Sequence, residues 1–192
     1  KYLKSPNDVY AESSEKFWVS NDASSRKSNL ELLLKIKGGN IVHYNGNSFI
    51  KSIPRLAYPN GVIRSGNQLI VSTTRQNKIF SYTLDNWGKA IPGTQKTIAM
   101  AKGWDNFSRV NDSLLLCTAH IQPIKFLKHY RKSNQLSPIA VFVINLYKKN
   151  AEILFYTDGS IISAGSTALF YGGSLYVCQV FDPYIAKISL AK

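Results

Sequence analysis

Cysteine is scarce in this sequence, and its scarcity removes several chemistries at once. The two that occur, Cys117 and Cys178, sit in separate apolar runs with no CxxC spacing. The ligand pattern of a zinc site and the motif of a thiol redox centre are therefore both absent. Two buried free thiols, or a disulfide between them, are the remaining readings, and spacing alone does not choose. Long apolar runs are missing as well: none approaches the ~18 residues that a membrane-spanning helix needs. Acidic residues are few, 11 against 24 lysines and arginines, leaving a formal charge of +13. That excess suits an anionic partner such as nucleic acid or a membrane surface. The basic residues are nevertheless scattered, as in "KSIPRLAY" and "LYKKNAE", and it is clustering that marks an interaction tail. The distribution disfavours nucleic acid and leaves a membrane surface open as a partner.

Helical periodicity is also nearly absent. Apolar residues recur at i, i+3 and i+4 only in Ser28–Lys37 and Gln122–Lys132, which predicts two short helices. Both lie between strand-like segments, where loops that shape a site usually fall. The first would cover a site, face a membrane, or pack Leu30, Leu32, Leu33 and Leu34 on the strands beside it. His43 and His129 read as ordinary exposed residues.

What the chain does hold is a repeat. With 192 residues, 44% of them hydrophobic, it has material for one domain with a core. Four segments share a plan: "NDVYAESSEKFWVSND" from Asn7, "NGVIRSGNQLIVSTT" from Asn60, "NFSRVNDSLLLCTAH" from Asn106 and "STALFYGGSLYVCQV" from Ser166. Each carries a hairpin signal, "SSEK", "SGNQ", "VNDS" or "YGGS", between strand-forming runs. Third strands follow in "NIVHYN", "KIFSYTL", "AVFVINL" and "IAKISL". In "KIFSYTL", Ile79, Ser81 and Thr83 face one way and Phe80, Tyr82 and Leu84 the other. Repeats of roughly 50 residues built from about four strands are the mark of propeller blades. The expected fold is an all-β propeller with about four blades over residues 1–192, a single domain and part of a larger ring.

The ordered anchors "PNDVYA", "FWVSND", "IVHYNG", "YPNGVIRSGNQLIVSTTRQNKIFSY", "WDNFS", "HIQPIKFLKHYRKSNQLSPIAVFVI" and "YTDGSIISAGSTALFYGGSLYVCQVFDPYIAKISL" resemble the paraoxonase/arylesterase-like calcium-dependent six-bladed propellers. These are related to gluconolactonases and strictosidine synthase, and the chain aligns with their C-terminal two thirds. The resemblance implies that Asn7, Asn60, Asp105 and Asn106 ligate a catalytic calcium ion and Asp8 a second, structural one. Calcium takes six to eight oxygen ligands, which converging strands of different blades can supply. His120, Ser166 and Phe181 resemble substrate-pocket positions. Singly these residues also have plain readings: Asn60-Gly61 as a turn dipeptide, Asn7-Asp8 as a cap, and Asp105-Asn106 as backbone-bonding groups.

The implied activity is calcium-dependent hydrolysis of small esters or lactones, in a secreted or periplasmic setting. A non-catalytic propeller subunit that keeps the fold and part of the calcium site is the alternative. A synthase-like branch is less favoured, because the Asn and Asp positions are retained. No glutamate stands at a matching position, and the family's histidine pair belongs to blades outside this chain. The expectation is that a preceding segment or a second polypeptide completes the ring.

Overall fold

The computed structural model describes residues 2–25 and 34–190. Most of the predicted helix Ser28–Lys37 lies outside the described residues. The chain divides into two compact units, Lys1–Ile98 and Ala99–Lys192.

In the first unit, β1 (Pro6–Ala11), β2 (Phe17–Asn21), β3 (Gly39–Tyr44) and β4 (Phe49–Leu56) form one antiparallel meander. A second follows in β5 (Pro59–Ser65), β6 (Gln68–Thr73), β7 (Lys78–Thr83) and β8 (Lys96–Met100), the last of which crosses the unit boundary. In the second unit the sheets are β9 (Trp104–Arg109), β10 (Leu114–Ala119), β11 (Ile139–Asn145) and β12 (Asn150–Thr157), then β13 (Gly165–Tyr171), β14 (Ser174–Gln179) and β15 (Ile185–Ser189). Spatial order equals sequence order in every sheet, as in propeller blades. The four predicted hairpins each join the first two strands of a sheet.

Apolar faces hold neighbouring blades together within each unit. In the first, Trp18, Ile41 and Ile53 of one sheet meet Val62, Leu69, Val71, Phe80 and Tyr82 of the next. In the second, Leu116, Ile139 and Val141 meet Ala168, Leu175 and Val177. The alternation of "KIFSYTL" holds, with Phe80, Tyr82 and Leu84 in this core, yet Ile79 and Ser81 on the opposite face are buried too. Burial also raises the pKa of the Tyr82 phenol well above its ordinary value. Within each unit the first strand of one sheet lies beside its neighbour: β5 packs against β1 and β2, and β13 against β9 and β10.

The second predicted helix forms as α1 (Pro123–Arg131), between β10 and β11. Proline is tolerated in its first turn because that N–H has no intrahelical partner. Lys128, His129 and Arg131 in the last turn complement its dipole.

Two expectations are corrected. His43 and His129 are buried rather than exposed. His43 lies flat on the Trp18 indole, with centroids 4.0 Å apart and planes 9° from parallel, so the sheet supplies an apolar cover that a lone histidine does not advertise. His129 Nδ1–H donates to the Gln135 carbonyl at 2.6 Å, drawing it under the chain that follows α1. Both cysteines are free thiols, which removes the disulfide reading.

Candidate functional site

The first strand of each sheet is interrupted near its start. Between the pairs Pro6–Asn21 and Val9–Val19, Asn7 and Asp8 together oppose Ser20 alone. Asn60 and Gly61 oppose Ser72 in the same way, and Asp105 and Asn106 oppose Thr118. In the last sheet Ser166 is the extra residue between Gly165–Gln179 and Thr167–Cys178. Such β-bulges bend a strand and re-aim its side chains. All the metal-ligand positions implied by the sequence sit on these bulges.

A bulge leaves backbone donors without ladder partners. Here the residue opposite supplies the acceptor: Ser20 Oγ takes the Asp8 N–H at 3.0 Å, and Ser72 Oγ takes the Gly61 N–H at 2.8 Å. Thr118 holds the equivalent place, although its hydroxyl makes no hydrogen bond. These buried hydroxyls were not singled out from the sequence. Their signal was the recurring "VSN", "VST" and "CTA" that ends the strong apolar strand of the first three repeats.

Each of the three asparagines uses its amide nitrogen within the protein. Asn7 Nδ2 donates to Asp22 Oδ2 at 3.2 Å, Asn60 Nδ2 to Thr74 Oγ1 at 3.4 Å, and Asn106 Nδ2 to Ser166 Oγ at 2.9 Å. The donor end of each amide is thereby tied to protein. At Asn60 the oxygen end is left over, Oδ1 being buried without any hydrogen bond. A buried amide oxygen in that state costs free energy unless something meets it.

The acids behave differently. Asp8 Oδ2 accepts the Val62 N–H and Oδ1 its neighbour's, Val9 N–H, both at 2.8 Å, so this carboxylate stitches β1 to β5. In the second unit, Asp105 is buried and its Oδ2 accepts from His120 Nε2 at 3.0 Å. Gly103 permits that pairing. The His120 N–H donates to the Gly103 carbonyl at 2.8 Å, and a Cβ at Gly103 would fall 2.1 Å from the His120 oxygen. Its φ of +71° adds a second reason for glycine.

His120 is roofed by aromatic side chains. Its ring is 4.2 Å from that of Phe126 on α1, and Phe126 is 5.6 Å from Phe181. His129 and Tyr130 also meet Phe181, at 5.6 and 5.5 Å. Within the second unit, Asp105–His120 and Asn106–Ser166 thus form two hydrogen-bonded pairs, with Phe126 against His120 and Phe181 against Phe126. Asn7, Asp8 and Asn60 occupy the bulges of the first unit. Among the described residues no three His, Cys, Asp or Glu side chains cluster to hold a metal; the candidate donors are mostly amide oxygens.

The sequence matches the arylesterase family over residues 1–185. The chain belongs to that family. No curated protein matches it. Among solved structures, this arylesterase-family chain is similar to a luciferin-regenerating enzyme, with a TM-score of 0.60, 15% identity, and coverage of 90% of this chain and 52% of the other. It is similar to the calcium-binding protein regucalcin of Agrobacterium tumefaciens, with a TM-score of 0.56, 16% identity, and coverage of 92% and 55%. A protein assigned as a gluconolactonase gives a TM-score of 0.55 at 19% identity, covering 98% and 57%. At such identities the likeness concerns the propeller fold. The chain spans little more than half the length of these structures.

Proposed function

We propose that residues 1–192 form one propeller domain within a six-bladed ring and take part in calcium-dependent hydrolysis of small esters or lactones. The observation that carries this is the Asn60 amide on the β5 bulge, whose nitrogen donates to Thr74 while its buried oxygen meets no donor. Calcium selects oxygen donors of this kind. Asn7, Asn60, Asp105 and Asn106 would hold the catalytic ion, and Asp8 a second ion alongside its backbone bonds. A bound calcium would supply Lewis-acid polarisation of the scissile carbonyl and stabilise developing oxyanion charge.

The remaining roles fall to the chain's own groups. His120 holds one oxygen of Asp105, fixing the carboxylate's direction as partners of metal ligands commonly do. Ser166 fixes Asn106. Phe181, part exposed beside Phe126, offers an apolar wall to an acyl or aryl group, with His120 at its edge. Family membership supports the reading, as does the likeness to a calcium-binding propeller. The blades that complete the ring would come from a preceding segment or a second polypeptide.

The test is hydrolysis of phenyl acetate and of a γ- or δ-lactone by the assembled protein, with and without chelator. Turnover abolished by chelator and restored by calcium is expected. Turnover indifferent to chelator would contradict the calcium dependence, and absence of turnover favours a non-catalytic propeller subunit.

A further inference from the structure

The first unit contains a cavity of about 470 Å³ that the proposed chemistry does not use. It lies at the far end of the strands from the bulges: Asn7 and Asn60 open β1 and β5, whereas Glu12 follows β1 and Arg64 closes β5. At ~3.3 Å per strand residue the separation is about 15 Å. We propose that this cavity is a second binding site, for a small uncharged polyhydroxylated ligand of monosaccharide size.

Its lining carries four amide side chains, Asn45, Asn47, Asn67 and Asn86. Amides both donate and accept, as hydroxyl-rich ligands require. Charge is balanced, Glu12 and Asp85 against Lys16 and Arg64. Arg64 is moreover ion-paired with Glu12 and lies over the Trp18 ring at 5.5 Å. Asp85 Oδ1 accepts the N–H groups of Trp87 and Lys89 at 2.9 and 2.8 Å. With two acids against two bases, the cavity lining carries no net charge to attract an ion. Trp87 supplies an indole 73% exposed at this cavity. An exposed aromatic face with amides around it suits the C–H side and hydroxyl edge of a sugar ring.

His43 is the most specific feature. Its Nδ1 lies 3.1 Å from the Trp87 carbonyl, which only accepts, so Nδ1 carries the proton and Nε2 presents a lone pair. That Nε2 is buried with no hydrogen bond, in a residue only 5% exposed. Gly88 secures the arrangement: a Cβ there would lie 2.2 Å from His43 Nδ1. The His43 acceptor therefore awaits a donor such as a hydroxyl.

The test uses the full chain with methyl β-D-glucopyranoside, methyl β-D-galactopyranoside and N-acetylglucosamine, followed by tryptophan fluorescence and ligand-observed NMR, with sodium benzoate as an anionic control. Saturable binding of at least one sugar is expected, weakened tenfold or more in Trp87→Ala, an exposed position that the fold tolerates. His43→Phe, which keeps a ring on Trp18, should weaken it as well, with thermal melting confirming that the variant is folded. No sugar binding up to tens of millimolar, affinity unchanged in Trp87→Ala, or binding of benzoate alone would overturn the proposal. None of these outcomes depends on hydrolysis.

Discussion

His120 Nε2 stands 3.0 Å from Asp105 Oδ2, and both side chains are buried. The contact links the loop after β10 to the bulge in β9 and sets the direction of the one acid in the second unit that the calcium reading needs. His120→Leu removes this donor without touching a proposed ligand. Calcium affinity and phenyl acetate turnover should both fall by about 10–100-fold, the usual effect of losing a partner of a metal ligand. Loss of turnover with calcium affinity intact would assign His120 to the substrate alone.

The bulges give a paired stability prediction. Ser72→Ala strips the Gly61 N–H of its acceptor, leaving a buried donor unmet, and should cost about 1–3 kcal/mol in denaturant unfolding. Thr118→Val removes a hydroxyl that bonds nothing and keeps its shape, so stability should be unchanged or slightly higher.

Burial pushes the His43 pKa below its ordinary value, outweighing the bond to the Trp87 carbonyl. In the window below about 6.5 the unfolded chain then binds more protons than the folded one, so stability falls as pH drops through it. His43→Phe should reduce the drop in Tm between neutral and mildly acidic pH. An equal drop in the variant would assign the pH dependence elsewhere.

Because Cys117 and Cys178 are both free, reductant should leave Tm unchanged. A thiol reagent should titrate two groups after denaturation, with Cys117, fully buried, the slower to react in the native protein.

Much of the fold was legible because period-two alternation and hairpin turns repeat four times, each occurrence reinforcing the others. The phase of Asn7, Asn60, Asn106 and Ser166 was legible for the same reason. The bulges were not, since an extra residue in a strand shows only against its partner, and the hydroxyls of Ser20 and Ser72 take their meaning from that register. His43 and His129 were misjudged because burial of a lone histidine depends on its cover, the Trp18 face in one case and the Gln135 carbonyl in the other. The Asp105–His120 pair joins residues on separate segments, which no local pattern announces.

The most direct test of the calcium reading is titration of calcium into the chelator-stripped protein, in its native assembly, followed calorimetrically for wild type and Asn60→Ala. Wild type should bind, and Asn60→Ala at least about tenfold more weakly, because the buried Oδ1 that meets no donor is removed. Equal binding by both proteins, or no binding by wild type, would contradict it.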